Sequence, residues 1–390
     1  MPPSPLDLLR GTPFADYTAS ATKLTGGMIS YVWRMANSAG KTIVVKYADS
    51  TIAAALEVKF SIERMDFEVR GLALFNDLPE TLSSDEALRT IHGLGKELTL
   101  TSSVRIPKLL YYDRSKPFLI LEDIGDHLNY ENWCLSTDKP AADVDIDFVC
   151  SKIGEWLAHL HAFGYANFDA LKEYFVNQPA RDLLGELFFE MTAKSIVEHT
   201  SFDDKQKMVE SIQQFRAEKL EARACQKALG PHTLLFGDMW PGSVLFDIDA
   251  RVVNLLDFEF ADIGLIYGDI AHFVAHLLPM HFLRVKPYNP STDSCPHSVV
   301  AFLSSYKQTM QQKYPAAYNA VTKDAVRHST IFFGIEITRD VLTGNWCRCK
   351  KNTPKTDAPL KCECADILLP FARKYILNTK DSLFNVLTSE

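Results

Sequence analysis

The chain has 390 residues, of which 47% are hydrophobic and 23% charged, with 18 glycines and 19 prolines. This composition is typical of a globular protein with two or three structural units, and it excludes a mainly disordered, fibrous or collagen-like chain. Lysine and arginine number 41 against 49 aspartates and glutamates, so the net charge is −8 and binding to nucleic acid is disfavoured.

The sequence also argues against secretion and membrane insertion. The N-terminus lacks the basic and apolar regions of a signal peptide, and four acidic residues interrupt the most apolar long stretch, 252–278. Eight cysteines are too few for a disulfide scaffold in a chain of this length. We therefore expect a cytoplasmic protein with no membrane partner; monomer and homodimer both remain open.

The first 124 residues predict a small antiparallel sheet with one helix. Segments 31–35 and 42–46 are rich in β-branched and aromatic residues and flank a polar turn, so they predict a hairpin. A second hairpin is predicted for 104–112 and 117–121, where Pro107 confines the first strand to an edge or a late start. Between the hairpins, the apolar spacing of 57–74 predicts a helix.

From residue 125 onward the pattern is mainly helical. Apolar residues within 149–163 recur at the spacing of one helix face and predict a helix there. Short apolar segments then predict strands at 233–236, 244–246 and 252–256. Asp269 is predicted to be the N-cap of the next helix rather than a catalytic residue. The predicted fold class is α+β, with an N-terminal unit over 1–124 and a C-terminal unit over 125–390.

Groups that phosphoryl transfer requires occur in order along the chain. They are Gly26-Gly27 on a turn, Lys46 on a strand, Glu68 on a helix, Gly237-Asp238 after a strand, and Asp257-Phe258-Glu259 at the end of another strand. Transfer from ATP needs a flexible loop over the phosphates, a fixed cation, a carboxylate that holds the cation, a base for the acceptor hydroxyl, and carboxylates for Mg²⁺. Each group alone has a commoner interpretation as a turn or a solvated side chain, but their order favours the chemical one.

These residues belong to motifs that resemble the aminoglycoside phosphotransferase/choline kinase-like family. The motifs are the segment 26–34, Val44-Val45-Lys46, Arg64-x-x-x-Glu68, Leu121-Glu122-Asp123, Gly237-Asp238-x-x-x-x-Ser243 and Asp257-x-Glu259. Segments 237–243 and 256–261 are most similar to the 5-methylthioribose kinase-like branch, which includes fungal hydroxytryptamine-type kinases. The resemblance implies a bilobal protein-kinase-like fold, with ATP and Mg²⁺ as cofactors and a small-molecule alcohol as phosphate acceptor.

The resemblance also implies a role for each matching position. Asp238 is the implied catalytic base. The implied ATP contacts are Gly26 and Gly27 on the loop, Lys46 with its ion-pair partner Glu68, and the hinge residues Glu122, Asp123 and Ile124. The implied metal ligands are Asp257, Glu259 and Ser243, where Ser243 replaces an asparagine of other relatives.

Two departures from the family pattern bear on the substrate and on activity. Phe236 replaces the histidine of the usual H-G-D motif, which would keep the packing and lose a hydrogen bond. Arg339 is followed by Asp340, whereas methylthioribose kinases have two adjacent arginines at the substrate pocket. A carboxylate in place of an arginine reverses the charge, so an acidic pocket with Asp340 and Glu336 would favour an amine-bearing alcohol over a methylthioribose-like sugar.

Three further interpretations stay open on the sequence alone. Trp240, two residues after Asp238, is a candidate for the substrate pocket. Phe236 and Ser243 raise the alternative of a catalytically weak or inactive kinase-like binding protein, although retention of Lys46 and Asp238 favours an enzyme. A protein kinase is disfavoured because no A-P-E-like segment follows Asp257.

Two cysteine pairs form the last motif. Cys347, Cys349, Cys362 and Cys364 surround a lysine-rich polar stretch that is expected to be an exposed loop. Two such pairs can supply a tetrahedral Zn²⁺ site, but that site usually takes C-x-x-C spacing, so reduced loop thiols are the favoured interpretation.

Overall fold

The structure is a computed structural model, and it describes residues 2–25, 27–98, 101–136, 140–225, 232–285, 288–291, 293–320, 323–343, 363–377 and 382–387. The strands of these residues are β1 (Ser20–Lys23), β2 (Tyr31–Ala36), β3 (Thr42–Tyr47), β4 (Thr51–Ile52), β5 (Ala55–Lys59), β6 (Val104–Arg105), β7 (Leu109–Asp113), β8 (Phe118–Glu122), β9 (His232–Leu235), β10 (Val244–Asp247), β11 (Val252–Leu255) and β12 (Asp262–Leu265).

The helices of the same residues are α1 (Pro5–Leu9), α2 (Arg64–Ala73), α3 (Glu86–Gly95), α4 (Tyr130–Cys134), α5 (Asp143–Ala166), α6 (Phe168–Leu171), α7 (Gln178–Gly185), α8 (Met191–His199), α9 (Lys205–Cys225), α10 (Tyr267–Arg284), α11 (His297–Lys313), α12 (Pro315–Asn319), α13 (Lys323–Thr343) and α14 (Glu363–Leu377). Among them, none is long and apolar enough to cross a membrane.

A five-stranded antiparallel sheet forms the N-terminal part of the molecule, in the order β1-β2-β3-β8-β7. Both predicted hairpins are confirmed, since β2 pairs with β3 and β7 pairs with β8. Pro107 separates β7 from β6, and β6 pairs in parallel with β11 instead. A proline has no N–H to donate to a ladder, which explains why the strand is interrupted there.

The helix predicted for 57–74 is only partly correct. Its first residues form strand β5, which pairs with β4, and α2 begins at Arg64. Ile52 and Phe60 at this hairpin pack against Phe260, which lies 200 residues further along the chain. This tertiary contact outweighs the helical spacing of the local sequence.

Helices make up most of the C-terminal part. The predicted helix over 149–163 is confirmed and extends over Asp143–Ala166 as α5. It packs closely on α11 through Gly154, where a Cβ would lie 2.3 Å from the Phe302 carbonyl oxygen. Helix α10 is largely buried and lies against α13. The α+β, two-lobed fold predicted from the sequence is therefore confirmed.

Candidate active site

Lys46 lies in a buried group of carboxylates between the sheet and α2. Its Nζ donates to Glu68 Oε2 at 2.5 Å and to Asp257 Oδ1 at 2.8 Å, and it lies 3.4 Å from Glu259 Oε1. Burial alone would lower the pKa of Lys46, but the attraction of the three carboxylates raises it well above its usual value. Burial also raises the pKa of Glu68. The lysine is therefore a fixed cation, as a phosphate contact requires.

The D-x-E segment turns sharply after β11. Asp257 has a left-handed backbone conformation with φ of +69°, and Phe258–Phe260 form a 3-10 turn. Carboxylate oxygens of Glu68, Asp257 and Glu259 all lie within 4.8 Å of one another. Oxygens of this kind are the ligands that Mg²⁺ prefers, and the Asp257 side chain, 34% exposed, is the accessible one of the three.

Glu259 is held from the opposite side by Arg64. The Arg64 Nε donates to Glu259 Oε2 at 3.2 Å, and the Ser30 hydroxyl donates to the same oxygen at 3.2 Å. The Arg64 Nη1 donates to the carbonyl oxygens of Phe60 and Ser61, just before the start of α2. Arg64 is thus a second cation, beside Lys46, that fixes Glu259, a role that its motif position alone did not indicate.

Asp238 lies on a turn that follows β9. The preceding Gly237 has φ of +92°, and a Cβ there would lie 1.9 Å from the Phe260 carbonyl oxygen. Phe236 is fully buried, with its ring centroid 4.8 Å from that of Phe258. Ring packing at Phe236 therefore connects the loop of Asp238 to the segment that contains Asp257.

Asp269 is not the N-cap that the sequence predicted. Helix α10 begins at Tyr267, and Asp269 lies in its first turn. The Asp269 carboxylate accepts hydrogen bonds from the backbone N–H of Phe236 at 2.7 Å and of Gly237 at 2.8 Å. Because its oxygens are used on another segment, Asp269 positions the loop that contains Asp238.

Asp238 contacts a histidine that the sequence argument did not single out. His272 Nε2 lies 3.2 Å from Asp238 Oδ1, and His272 Nδ1 lies 2.5 Å from Glu336 Oε1. A second histidine, His276, is also buried, with its ring 4.7 Å from that of His272. Asp269, His272 and His276 recur at i, i+3 and i+7 on α10, and this spacing was the available sequence signal.

The candidate substrate residues lie around this histidine pair. Trp240 is half-buried, with its ring 6.0 Å from that of His276. Arg339 on α13 lies 2.9 Å from Glu336 and 2.7 Å from Asp340. Asp340 is 2% exposed, and its Oδ1 accepts hydrogen bonds from Nε and Nη2 of Arg339, so its charge compensates that guanidinium.

Ser243 closes the loop of Asp238 in this structure. It is fully buried, and its hydroxyl donates to the Trp240 carbonyl oxygen at 2.8 Å. This hydrogen bond uses the hydroxyl proton, and the Trp240 N–H lies 3.5 Å from the same oxygen as a donor, so one lone pair of Ser243 is left for a cation.

The predicted hinge lies at the end of β8. The Glu122 side chain forms an ion pair with Arg105 at 2.5 Å, and Asp123 forms one with Arg34 at 2.7 Å. Burial would raise the pKa of Asp123, but the hydrogen bond from Arg34 lowers it overall. The Glu122 and Asp123 side chains are therefore held in ion pairs, the second of them largely buried, which leaves the backbone groups of 122–124 as the polar groups for a ligand.

Some predicted site residues lie outside the described part of the chain. Gly26 is one of them, whereas Gly27 is described and lies on the connection between β1 and β2. Cys347, Cys349 and Cys362, and the side chain of Cys364, also lie outside it, together with the lysine-rich stretch between the pairs. The Zn²⁺ alternative stays a prediction.

The sequence matches a family model, described as the phosphotransferase enzyme family, over residues 21–285. The match covers more than half of the chain and includes Lys46, Asp238 and Asp257. The chain therefore belongs to the phosphotransferase enzyme family, as its motifs predicted. No curated protein matches the chain.

Several solved structures are similar at low identity. An amicoumacin kinase in complex with AMP-PNP, Ca²⁺ and Ami is 14% identical with a TM-score of 0.49, and the match covers 98% of this chain and 97% of that one. An ethanolamine kinase from Plasmodium vivax is 10% identical with a TM-score of 0.45, over 95% and 84% of the two chains. A choline kinase from Cryptosporidium parvum is 12% identical with a TM-score of 0.44, over 93% and 88%.

Proposed function

We propose that this protein is an ATP- and Mg²⁺-dependent kinase that phosphorylates an alcohol hydroxyl of a small molecule. The observation that carries the proposal is one connected site. In it, Lys46 pairs with Glu68 and Asp257, and the ring packing of Phe236 on Phe258 connects Asp257 to the loop of Asp238. The family match supports the same reaction class.

The residues on the nucleotide side are assigned as follows. Lys46 contacts the α- and β-phosphates, beneath the loop that includes Gly26 and Gly27. The backbone of Glu122, Asp123 and Ile124 binds the adenine, and we place the division between the two lobes after Ile124. Asp257, Glu259 and the Ser243 oxygen would hold Mg²⁺, which would supply positive charge to neutralise the phosphates.

The acceptor side depends on Asp238. The acceptor oxygen attacks the γ-phosphorus, the bond to the β–γ bridging oxygen breaks, and ADP leaves. Asp238 accepts a hydrogen bond from the acceptor hydroxyl and takes its proton as the new bond forms. Phosphoryl transfer depends mainly on how the acceptor hydroxyl is positioned, so the fixed orientation of the Asp238 carboxylate matters more than its basicity.

Turnover of ATP against a panel of acceptors tests the proposal. The panel contains 5-methylthioribose, choline, aminoglycosides and hydroxylated arylethylamines, each with Mg²⁺. We expect ADP release that depends on one acceptor class and is lost in Asp238→Asn. Asp169→Asn is the matched control, since that side chain is 90% exposed on the surface. Nucleotide binding without ADP release on any acceptor would instead support the catalytically inactive binding protein.

The charge of the acceptor forms a finer part of the proposal. Arg339 is compensated by Glu336 and Asp340, so the pocket offers no surplus cation for a phosphate- or carboxylate-bearing acceptor. We therefore propose an amine-bearing alcohol, with a neutral sugar of the methylthioribose type as the second candidate. Asp340→Asn would release the charge of Arg339 and raise the KM of an amine-bearing acceptor. An unchanged KM for amines in this variant would leave the neutral sugar as the better candidate.

A further inference from the structure

A chain of alternating charges extends from Asp238 into the helical part of the protein. His272 lies 3.2 Å from Asp238 and 2.5 Å from Glu336. Glu336 lies 2.9 Å from Arg339, which lies 2.7 Å from Asp340. The side chains of His272, Glu336 and Asp340 are at most 6% exposed, so water screens these interactions little.

The same residues allow a second interpretation, a buried metal site. Ligand atoms of His272, His276 and Glu336 lie within 4.8 Å of one another. However, both ring nitrogens of His272 face carboxylate oxygens, and the Arg339 guanidinium lies against Glu336. A divalent cation would lie beside the guanidinium and would compete with it for Glu336. The contacts therefore favour a protonated His272 ring between the two carboxylates over a metal ion.

We propose that His272, as an imidazolium held by Glu336, is a positioning residue that orients the Asp238 carboxylate toward the acceptor hydroxyl. This inference rests on the proposed function, in which Asp238 is the base. An imidazolium donates at both nitrogens, so each ring N–H meets one carboxylate and the ring cannot rotate without losing both hydrogen bonds. The other carboxylate oxygen of Asp238, Oδ2, then points in one defined direction.

The charged groups around His272 favour its protonated form. Burial would lower the pKa of His272, but Glu336 and Asp238 raise it to about 10. Among the described residues, Arg339 on α13 and His276 on α10 also lie beside this cluster, and Lys219 on α9 acts on Glu336. Burial and the charges of His272 and Arg339 lower the pKa of His276, so this neighbour stays neutral beside the imidazolium.

Histidine ¹⁵N NMR on the full chain tests the protonation state without any acceptor. We expect the His272 ring to show two protonated nitrogens at pH 7 and to titrate near pH 10, with its signal assigned by its loss in His272→Gln. Glu336→Gln should lower that titration point. A neutral His272 ring at pH 7 would overturn the proposal, and this holds even if no acceptor is ever phosphorylated.

Kinetics on the acceptor found by the panel test the positioning role. His272→Ala should lower kcat by about 10- to 100-fold and leave the KM for ATP within about 2-fold, because the nucleotide contacts lie elsewhere. In the wild type, kcat should decline near pH 10, where His272 loses its proton. His272→Gln keeps a donor near Asp238 but no charge, so its kcat should exceed that of His272→Ala and should not show this decline. In Glu336→Gln that decline should move to lower pH.

A matched control separates positioning from a loss of packing. His159→Gln replaces another buried histidine, one that contacts Tyr314 and not the site, and it should leave the pH profile of kcat unchanged. Equal pH profiles of kcat in wild type, His272→Gln and Glu336→Gln would overturn the proposal. The proposal would also be overturned if the purified protein contained one equivalent of tightly bound metal that both His272→Gln and His276→Gln lose.

Discussion

Gly237 is the residue on which the loop of Asp238 depends most directly. Its φ of +92° is a conformation that L side chains rarely adopt, and a Cβ would lie 1.9 Å from a backbone oxygen. Asp269 fixes the same turn from the other side through the N–H of Gly237. Two contacts therefore fix the backbone turn before Asp238: the close approach to the Phe260 carbonyl oxygen and the hydrogen bonds to Asp269.

We expect Gly237→Ala to lower the free energy of unfolding by about 3 kcal/mol or more and to abolish turnover, because backbone strain and a backbone clash add. Gly40→Ala is the matched control. Gly40 has φ of +75° with nothing within 4 Å of its Cβ position, so only the strain of about 1–2 kcal/mol remains. Urea denaturation of the two variants measures the difference, and equal losses would contradict the close approach at Gly237.

At the scale of elements, α2 and α10 position opposite sides of the site. Helix α2 provides Glu68 for Lys46 and Arg64 for Glu259, and it packs on the turn that follows Asp257. The close approach occurs at Gly71, where a Cβ would lie 2.6 Å from the Cβ of Phe258. Helix α10 provides Asp269 and His272 on one face for the loop of Asp238.

Gly71→Ala tests the contact of α2 with this turn. Alanine favours a helix by about 1 kcal/mol over glycine, but the clash with Phe258 should outweigh this gain and lower the free energy of unfolding by about 1–3 kcal/mol. Gly93→Ala on α3 is the control, because its Cβ position is open, and it should raise that free energy by about 0.5–1 kcal/mol. Chemical denaturation measures the free energy of unfolding of both variants. Stabilisation in both would show that the contact of α2 with Phe258 can accommodate a Cβ at Gly71.

At the scale of the whole molecule, the site joins segments that lie far apart in the chain. Lys46 on the sheet and Asp257 after β11 are separated by 211 positions, yet they form an ion pair at 2.8 Å. The three carboxylates face two cations, Lys46 and Arg64, so one negative charge remains in excess when all three are ionised, and a divalent cation would compensate it.

We therefore expect Mg²⁺ with a non-hydrolysable ATP analogue to stabilise the whole protein against unfolding. At 100 times the Kd the gain is about 2.7 kcal/mol, seen as a rise in Tm. In Asp257→Asn the part of this rise that requires Mg²⁺ should disappear, while Asp169→Asn should behave as the wild type. A full Mg²⁺-dependent rise in Asp257→Asn would show that the ion is held by other residues.

Local patterns in the sequence predicted the elements whose stability is local. The β-branched and aromatic residues of 31–35 and 42–46 and the helical spacing within 149–163 both predicted elements with buried residues in the structure. The helix predicted from residue 57 was wrong at its start, because the β4–β5 hairpin is stabilised by a contact with Phe260. Such a contact has no signature in a window of ten or twenty residues.

The sequence by itself determined the family, the two-lobed α+β fold and the order of Lys46, Asp238 and Asp257, since residue types and spacing along the chain are sufficient for these. Only the tertiary structure decided that Asp269 holds the loop of Asp238 and that His272 joins Asp238 to Glu336, which lie 34 and 64 positions away from His272. The reason is physical: a buried charged side chain must find its partners in space, and folding brings those partners from segments that local patterns cannot relate.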